Sequence, residues 1–506
     1  MKKRFCTLIA VLLVALLLLP NAATVLAAEN EIVLRVHNWQ DYIDEEYCLD
    51  DVATNFECWY KQKTGKTVRV EYTTFGTNEV LYNDMKIGKG DYDLVCPSDY
   101  MIEKMMNEDL IQPIDFSNVP NYTAYASPIF HDAFQGIGTA DKNVSQYAVG
   151  YMWGTLGFVY NPEKVDEEDV QTWLVAWNEK YKGKVTIKDS VRDTYFLGVG
   201  AAMQDQLLEL RAEYLKDTIG GADAYKSALN VIFNDTSDEM LSAVEKILRK
   251  QNKLLYGYEL DSGKTDMISG KIDLNFCWSG DAVYTMDQAE YGPEDLTEKE
   301  LERYQPRYFN YAVPEEGSNI WFDGWVIPKG ISAQRKAAAE AFLDYLSDPV
   351  VAAANMNYIG YTSAIAGDAI FELVNDWYGA EDGAETTYDV DLTYFFEGTL
   401  SDEYLTDGRA IVVTEELGRQ FSAQYPDEEV IKRSVIMRDF GNRNDALLDM
   451  WLRVKGNALP FWAILTIVFG TIAVIVIGWL LIKLQKAGKF ERKRRAPKGY
   501  TLIKKG

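Results

Sequence analysis

The fold is indicated first by the stretch Tyr92-Asp93-Leu94-Val95-Cys96-Pro97-Ser98-Asp99-Tyr100. Residues 92–96 predict a buried strand, Pro97 and Ser98 predict a turn, and residues 101–107 predict a helix. The preceding segments alternate in the same way, with predicted strands at 32–36 and 67–72 and predicted helices at 52–63 and 78–87. This alternation is typical of an α/β domain with a mostly parallel sheet. Ligands of such sheets bind beyond the carboxyl ends of the strands, where Asn38-Trp39 and the turn after Cys96 would lie.

The rest of the chain predicts a second domain of the same class. Strands are expected at 157–160, 184–188, 272–277 and 321–327, a mostly helical region at 194–251, and a helix at 333–346. About 430 residues between the two ends are too many for a single core, so two domains are expected. The acidic, tyrosine-rich stretch 375–399 predicts an irregular insertion.

The N-terminus has the pattern of a secretory signal peptide, residues 1–27. Lys2, Lys3 and Arg4 precede an apolar run over 8–19, and Val25-Leu26-Ala27, a site of the A-x-A kind, predicts cleavage after Ala27. The alternative is an uncleaved membrane anchor, for which the apolar run is short.

Near the C-terminus, residues 461–482 form a run of 22 residues without a charge. As a helix this run would measure about 33 Å, enough to cross a bilayer core of about 30 Å. The basic tail 483–506 follows it and predicts a cytoplasmic end, with the body of the chain outside the cell. A buried core helix is the alternative, which the basic flank disfavours.

The formal net charge of −26 argues against a nucleic-acid-binding protein. Between the signal peptide and the tail there are about two acidic residues for each basic one, so the body should repel nucleic acid and attract cations. Only two histidines, His37 and His131, argue against a histidine-based metal or catalytic site. Cys96 and Cys277 lie in apolar runs and are expected in the core.

Two Trp–Asp pairs, Trp278 with Asp281 and Trp321 with Asp323, suggest an organic cation as ligand. Trp39 follows a predicted strand in the same way. A ring face attracts a positive charge and packs against methylenes, while a carboxylate accepts the ammonium hydrogens. Taken one at a time, each tryptophan could equally be a core residue, and Asp281 could cap a helix.

Seven motifs in order give the chain a resemblance to the polyamine-binding proteins of bacterial ABC importers, from about Val33 to Lys455. They are Asn38-Trp39-Gln40-Asp41-Tyr42, Tyr92 to Tyr100, Met152-Trp153-Gly154, Asp189-Ser190-Val191-Arg192-Asp193, Trp278-Ser279-Gly280, Trp321-Phe322-Asp323 and Ile359-Gly360-Tyr361-Thr362-Ser363.

The resemblance implies a two-lobed periplasmic-binding-protein fold, type II-like, with the ligand in the cleft between the lobes. Lobe one would hold 31–148 and 324–370, and lobe two 149–323 and 371–456. The implied partners are the permease and ATPase subunits of an importer, and the chain is expected to be a monomer apart from them. No cofactor, metal or catalytic residue is implied. The C-terminal helix would anchor the protein in the cell membrane.

The resemblance also implies a set of ligand-binding residues: Trp39, Tyr42, Ser98, Tyr100, Asp193, Trp278, Asp281, Trp321, Asp323 and Tyr361. We expect Asp193, Asp281 and Asp323 to hold ammonium groups, with Trp39, Trp278 and Trp321 packing on the methylenes.

Two departures from the family pattern bear on ligand length. Asp193 replaces the more common glutamate, and Ser190 stands where the spermidine-binding branch has an acid, with Asp189 a candidate substitute. Asp281 matches the putrescine-selective branch. Putrescine and spermidine therefore both remain open as ligands.

Three alternatives remain at this stage. One is a protein of the same fold that binds a sugar, thiamine or a metal ion, although three carboxylates suit a cation better than a sugar. A second is a surface glycoside hydrolase, which two nearby carboxylates could serve, although no hydrolase motif such as G-x-S-x-G is present. A third is a sensor or adhesion protein, disfavoured by a tail too short for an output domain.

Overall fold

The computed structural model describes residues 31–456 except 89, 294, 295 and 382, together with Lys483. The predicted signal peptide and span, and all but the first residue of the predicted tail, lie outside these residues. Among the described residues, no helix is both long and apolar enough to cross a bilayer. Contacts along the chain separate residues 1–448 from residues 449–506. The following description concerns the former.

Strands and helices alternate over most of the chain. The strands are β1 (Glu31–Trp39), β2 (Thr67–Phe75), β3 (Leu94–Val95), β4 (Ile111–Gln112), β5 (Ala148–Tyr160), β6 (Val185–Lys188), β7 (Gly257–Glu259), β8 (Leu274–Trp278), β9 (Asn310–Ala312), β10 (Ser318–Pro328), β11 (Thr362–Ser363), β12 (Tyr388–Asp391), β13 (Ile411–Thr414) and β14 (Ser434–Val435). The helices are α1 (Phe56–Thr64), α2 (Asn78–Lys86), α3 (Asp99–Asn107), α4 (Pro120–Tyr125), α5 (Pro128–Gln135), α6 (Val191–Ala202), α7 (Gln204–Leu215), α8 (Ala222–Phe233), α9 (Asp238–Gln251), α10 (Gly263–Ile268), α11 (Ser279–Tyr291), α12 (Glu298–Leu301), α13 (Ala333–Leu346), α14 (Pro349–Ile359), α15 (Asp368–Tyr378), α16 (Thr393–Phe396), α17 (Arg419–Gln424), α18 (Glu428–Lys432) and α19 (Asn444–Lys455).

One sheet runs through the molecule in the order β2-β1-β3-β10-β5-β8-β6-β7. Its outer strands are parallel on both sides, β1 with β2 and β3, and β6 with β7 and β8. The two long central strands, β5 and β10, are antiparallel to each other, β10 is antiparallel to β3, and β5 is antiparallel to β8, whereas the short β14 pairs parallel to β10. The α/β class and the mostly parallel outer sheet are as predicted from the alternation of segments.

The two central strands link the two halves of the sheet. The first half of β5 pairs with β10 and β11, and its second half pairs with β8 and β9. All 13 residues of β5 and all 11 residues of β10 are buried. A chain that passes twice between two packed halves in this way brings side chains from both of them to the crossing point.

Buried apolar side chains form a cluster around each half of the sheet. One contains residues of β1 to β5, α13 and α14, and the other contains residues of β8, α10 and α11. The first cluster also takes in Val374, Leu392, Phe395 and Val412, although the prediction assigns residues after 370 to lobe two.

Other sequence predictions have mixed outcomes. The supposed irregular insertion contains β12 and α16, and β12 pairs with β13. Tyr388 and Asp389 of β12 are exposed, whereas Tyr378 stacks on Phe421 and the Tyr394 hydroxyl donates to the Pro426 carbonyl. Cys96 and Cys277 are fully buried as expected, and the four cysteines of the described part of the chain are free thiols.

Candidate functional site

The candidate site is organised by a break in the pairing of β5 with β10. Their register shifts between Phe322 and Gly324, so Asp323 lies at a bulge in β10. The residue bridges instead to Ser98, at the carboxyl end of β3, and the Gly324 amide donates to the Pro97 carbonyl at 3.1 Å. A bulge re-aims the side chain it carries. Here it directs the Asp323 carboxylate toward the loop between β3 and α3.

The Asp323 carboxylate is almost completely buried, with 6% of the residue exposed. Its Oδ2 accepts a hydrogen bond of 2.8 Å from the Tyr42 hydroxyl, and the backbone of Asp323 bridges to that of Ser98. Its Oδ1 is buried and has no hydrogen-bond partner among the described residues. Burial raises the pKa of Asp323 to about 6 in spite of the hydrogen bond from Tyr42, and the charge of Asp193 adds to the rise. A buried carboxylate oxygen without a donor favours a cation that brings one.

Asp193 approaches Asp323 from the other half of the sheet. It lies in the first turn of α6, where the Ser190 hydroxyl accepts from its backbone amide at 3.4 Å. Burial raises the pKa of the Asp193 carboxyl, opposed by hydrogen bonds from the side chains of Ser190 and Trp278 and by the nearby charge of Lys188. Two buried carboxylates from different halves therefore lie near each other, an arrangement that a dication would stabilise.

A third buried acid, Asp99, was not predicted as a site residue. It begins α3, and its carboxylate accepts from the backbone amides of Tyr100, at 2.6 Å, and Phe322, at 3.2 Å. Burial raises the pKa of Asp99 to about 8, with a contribution from Asp323. The only signal for it in the sequence was its place directly after Ser98 at a strand end.

Aromatic rings connect Asp323 to the second half of the site. The Tyr361 ring lies edge-on to Tyr42, at 5.8 Å between centroids, and to Trp321, at 5.5 Å. Two glycines make room for these rings. A Cβ on Gly280 would lie 2.4 Å from the Tyr361 ring, and a Cβ on Gly154 would lie 2.7 Å from the Trp321 ring. The W-x-G and W-G motifs thus have a steric role beside the site.

Asp281 makes contacts that differ from its predicted role as a ligand anchor. Its Oδ2 lies 2.7 Å from Lys188 Nζ, and its Oδ1 lies 3.7 Å from Lys264 Nζ and accepts from the Tyr361 hydroxyl at 3.0 Å. Burial alone would raise the pKa of Asp281, but the two ammonium groups outweigh burial and hold it below its usual value.

Trp278 is likewise engaged by a cation of the protein. Lys188 Nζ lies 4.2 Å from the centroid of the Trp278 ring. The second Trp–Asp pair therefore holds a lysine of the chain itself, in the arrangement predicted for a ligand. No local pattern indicates this pairing, because the lysine lies 90 residues before Trp278, on the neighbouring strand β6.

Tyr100 is also in contact with an internal cation. The guanidinium of Arg192 lies 4.1 Å from the Tyr100 ring and 4.0 Å from the Phe440 ring. The Tyr100 hydroxyl donates to Glu79 Oε1 at 3.0 Å. This tyrosine therefore joins α3 to α6 at the edge of the candidate site.

The remaining predicted residues lie on the first half of the sheet. Trp39 ends β1 and packs on Phe75 at 4.5 Å between ring centroids, and its buried Nε1 has no hydrogen-bond partner among the described residues. The Ser98 hydroxyl accepts from Asn78 Nδ2 at 3.0 Å. Direct contacts link six of the ten predicted residues into one cluster: Tyr42, Ser98, Asp281, Trp321, Asp323 and Tyr361. Trp278 joins this cluster through Lys188, and Trp39 joins it through its neighbour Asn38, whose side chain donates to the Tyr42 carbonyl.

The chain is also similar in sequence to known proteins. Residues 55–370 match the family described as bacterial extracellular solute-binding protein. The spermidine/putrescine-binding periplasmic protein of Escherichia coli (strain K12) is 24% identical over 353 residues, covering 69% of this chain and 83% of the relative. The putrescine-binding periplasmic protein SpuD of Pseudomonas aeruginosa is 27% identical over 349 residues, covering 67% and 80%.

The chain is also similar in fold to a solved structure. The spermidine/putrescine ABC transporter substrate-binding protein PotD from Streptococcus pneumoniae superposes with a TM-score of 0.53 at 25% identity, covering 84% of this chain and 100% of that one. The predicted two-lobed α/β periplasmic-binding-protein fold is confirmed by this likeness.

Proposed function

Because this chain belongs to the bacterial extracellular solute-binding protein family, we propose that it captures a polyamine outside the cell membrane and delivers it to the permease and ATPase of an ABC importer. The observation that carries the proposal is the buried Asp323 carboxylate, whose Oδ1 has no donor among the described residues and which lies near Asp193. The names of the relatives, which are polyamine-binding proteins, support the same ligand class.

The contacts suggest how a diamine would be held. One ammonium would donate to Asp323 Oδ1 and the other would lie nearer Asp193, with the apolar chain between them against Trp321 and Tyr361. Each hydrogen bond to a charged group contributes about 1.5–3 kcal/mol and each cation–π contact about 0.5–2 kcal/mol. After the cost of ordering the ligand and closing the lobes, about −8 kcal/mol would remain, which is micromolar affinity.

The proposed roles differ for the other predicted residues. Tyr42 and Ser98 would orient the Asp323 carboxylate, and Trp39 would offer a ring and an unpaired indole nitrogen at the end of β1. Asp281 and Tyr100 are reassigned to supporting roles, because each already contacts a cation of the protein.

Calorimetric titration of the purified full-length chain with putrescine and with spermidine tests the proposal. We expect saturable heat at micromolar concentrations with at least one of the two amines, and none with glucose or thiamine as comparison ligands. Binding of a comparison ligand with no response to either amine would exclude a polyamine receptor.

We also propose, from the sequence alone, that residues 461–482 anchor the protein and leave its ligand-binding part outside the cell. Fractionation of cells that produce the full chain tests this. The full chain should stay in the membrane pellet after alkaline carbonate extraction, whereas a variant that ends at Lys455 should be released into the medium. Release of both would remove the anchor from the proposal.

A further inference from the structure

The strongest unexplained feature of the site is the ammonium group of Lys188. Only 1% of this side chain is exposed, and the residue belongs to β6. Its Nζ donates to Asp281 Oδ2 at 2.7 Å and to the Leu260 carbonyl at 2.8 Å, and it lies 3.1 Å from Glu259 Oε1. The Trp278 ring covers it at 4.2 Å. These are the contacts that a polyamine-binding site would offer to an ammonium of its ligand.

Lys188 is also placed close to the proposed ligand. Tyr361 hydrogen-bonds Asp281 and contacts both Trp321 and Tyr42, so the pair of Lys188 with Asp281 borders the same aromatic wall as Asp323. Trp278, which faces Lys188, is also close enough to Asp193 to lower the pKa of its carboxyl. An amine that extended from Asp193 along this wall would therefore meet the ammonium of Lys188.

The two buried carboxylates at this end, Asp281 and Glu259, both lie within ion-pair distance of Lys188, at 2.7 and 3.1 Å. Lys264 lies 3.7 Å from Asp281 and 2.7 Å from the exposed carboxylate of Asp261. At the other end, Asp193 and Asp323 carry the negative charge that faces the proposed ligand. A third ligand ammonium would have to lie beside Lys188, which like-charge repulsion opposes.

From this geometry we infer that Lys188 is a built-in cation that occupies the position of a third ligand ammonium, so that the site selects a diamine over a triamine. The inference rests on the proposed function and sharpens it to a ligand class, short alkyl diamines. Lys188 is then a specificity-determining residue, and none of the seven sequence motifs contains it.

The direct test is titration of the full-length chain and its Lys188→Met variant with putrescine and spermidine. Methionine keeps most of the apolar length of lysine but removes the charge. We expect the natural protein to bind putrescine at least about tenfold more tightly than spermidine, and the variant to gain about tenfold or more for spermidine relative to putrescine.

Lys264→Met is the matched control. It removes the same charge next to the same carboxylate, 3.7 Å from Asp281, but its ammonium does not lie on the Trp278 ring. If occupancy of the ring site sets ligand length, the control should shift the spermidine-to-putrescine ratio much less than Lys188→Met. An equal shift in both variants would assign the effect to net charge and overturn the inference.

A second variant covers the possibility that Lys188→Met unfolds, since a buried carboxylate without its partner is strongly destabilising. Lys188→Met combined with Asp281→Asn removes both charges and should bind putrescine without a gain for spermidine.

Titration of the natural protein with both amines is itself a test of the inference. Spermidine binding as tight as putrescine binding would overturn the inference and leave the proposed function standing. A failure to bind either amine would remove both.

Discussion

The behaviour of Asp323 follows from where its carboxylate lies rather than from its residue type. An exposed aspartate is ionised at neutral pH and attracts cations weakly because water screens its charge. Burial at the bulge of β10 raises the pKa to about 6 and leaves Oδ1 without a donor among the described residues. For this reason we propose this carboxylate as the acceptor for a ligand ammonium group.

Asp323→Asn is expected to weaken putrescine binding roughly 10- to 100-fold, since a charged acceptor is lost from at least one hydrogen bond. The amide retains an oxygen for the Tyr42 hydroxyl, so the fold should persist. Calorimetry measures the loss, and Asp141→Asn, at an exposed carboxylate, is the control. Unchanged affinity in Asp323→Asn would show that the ligand lies elsewhere.

The raised pKa of Asp323 predicts that diamine affinity falls on acidification. Below about pH 6 the carboxyl of the unliganded protein is protonated and must lose its proton to bind an ammonium. Affinity should be about tenfold lower at pH 5 than at pH 7.5, and binding near pH 6 should release a proton. Titration in buffers of different ionisation enthalpy measures both effects. Equal affinity at the two pH values, or an unaltered pH profile in Asp323→Asn, would contradict the assignment.

The raised pKa of Asp323 also determines how the stability of the unliganded protein changes with pH. The folded state binds this proton more tightly than the unfolded chain, because the pKa rises from 3.8 to about 6 on folding. The stabilisation from the protonated form is therefore complete below pH 3.8 and is lost as the pH rises through 6.

At the scale of single elements, local patterns predicted most segments but not their ends. The helix at 333–346 was predicted with its bounds, because Ser332 caps it and Asp348-Pro349 follows it. β5 is much longer than the predicted strand at 157–160, since its first half includes Gly150 and Gly154 and is buried by long-range pairing with β10. Hydrophobic periodicity cannot indicate a strand that is buried on both faces along its whole length.

The first turn of α11 is an element on which the site depends sterically. A Cβ on Gly280 would lie 2.4 Å from the Tyr361 ring, so Gly280→Ala should displace that ring and its hydrogen bond to Asp281. We expect overpacking to lower the free energy of unfolding by about 1–3 kcal/mol, and the better helix propensity of alanine to offset about 1 kcal/mol of this. Amine binding should also be weaker.

Chemical denaturation and calorimetry of Gly280→Ala measure the two effects. Gly257→Ala is the matched control, because a Cβ there would meet no atom within 4 Å. A variant at 280 that binds and unfolds like the control would show that Tyr361 need not occupy its observed position.

At the scale of the whole molecule, the two halves are joined by more than β5 and β10. Glu103 of α3 forms a bidentate ion pair with Arg438, at 2.6 and 3.1 Å, and accepts from the Asp439 amide at 2.9 Å. The backbone of Arg438 is held in turn by Asn234, at the end of α8. This connection therefore joins the two proposed lobes. Residues 374–412 are an exception to the proposed division, because their buried side chains pack with the first cluster.

Glu103→Gln is expected to favour the open arrangement of the lobes, since it removes one charge of the ion pair while keeping its shape. Putrescine should dissociate about threefold faster or more, with the free energy of unfolding lower by about 1–3 kcal/mol. Stopped-flow displacement measures the rate. Glu245→Gln, which removes an ion pair to Arg249 within α9, should leave dissociation unaltered. Equal rates in the two variants would exclude a role for Glu103 in closure.

The amino-acid sequence by itself determined the α/β class, most of the segments, the acidic character of the body and the set of aromatic and carboxylate residues at strand ends. These are properties of neighbouring residues, or of motifs in order, and they need no knowledge of packing. Only the tertiary structure decided which of those residues have partners. It paired Asp281 and Trp278 with Lys188, set Arg192 on Tyr100, and added Asp99 beside Asp323. The physical reason is that burial and charge pairing depend on residues far apart in the chain, and burial and charge pairing decide whether a carboxylate can accept a ligand.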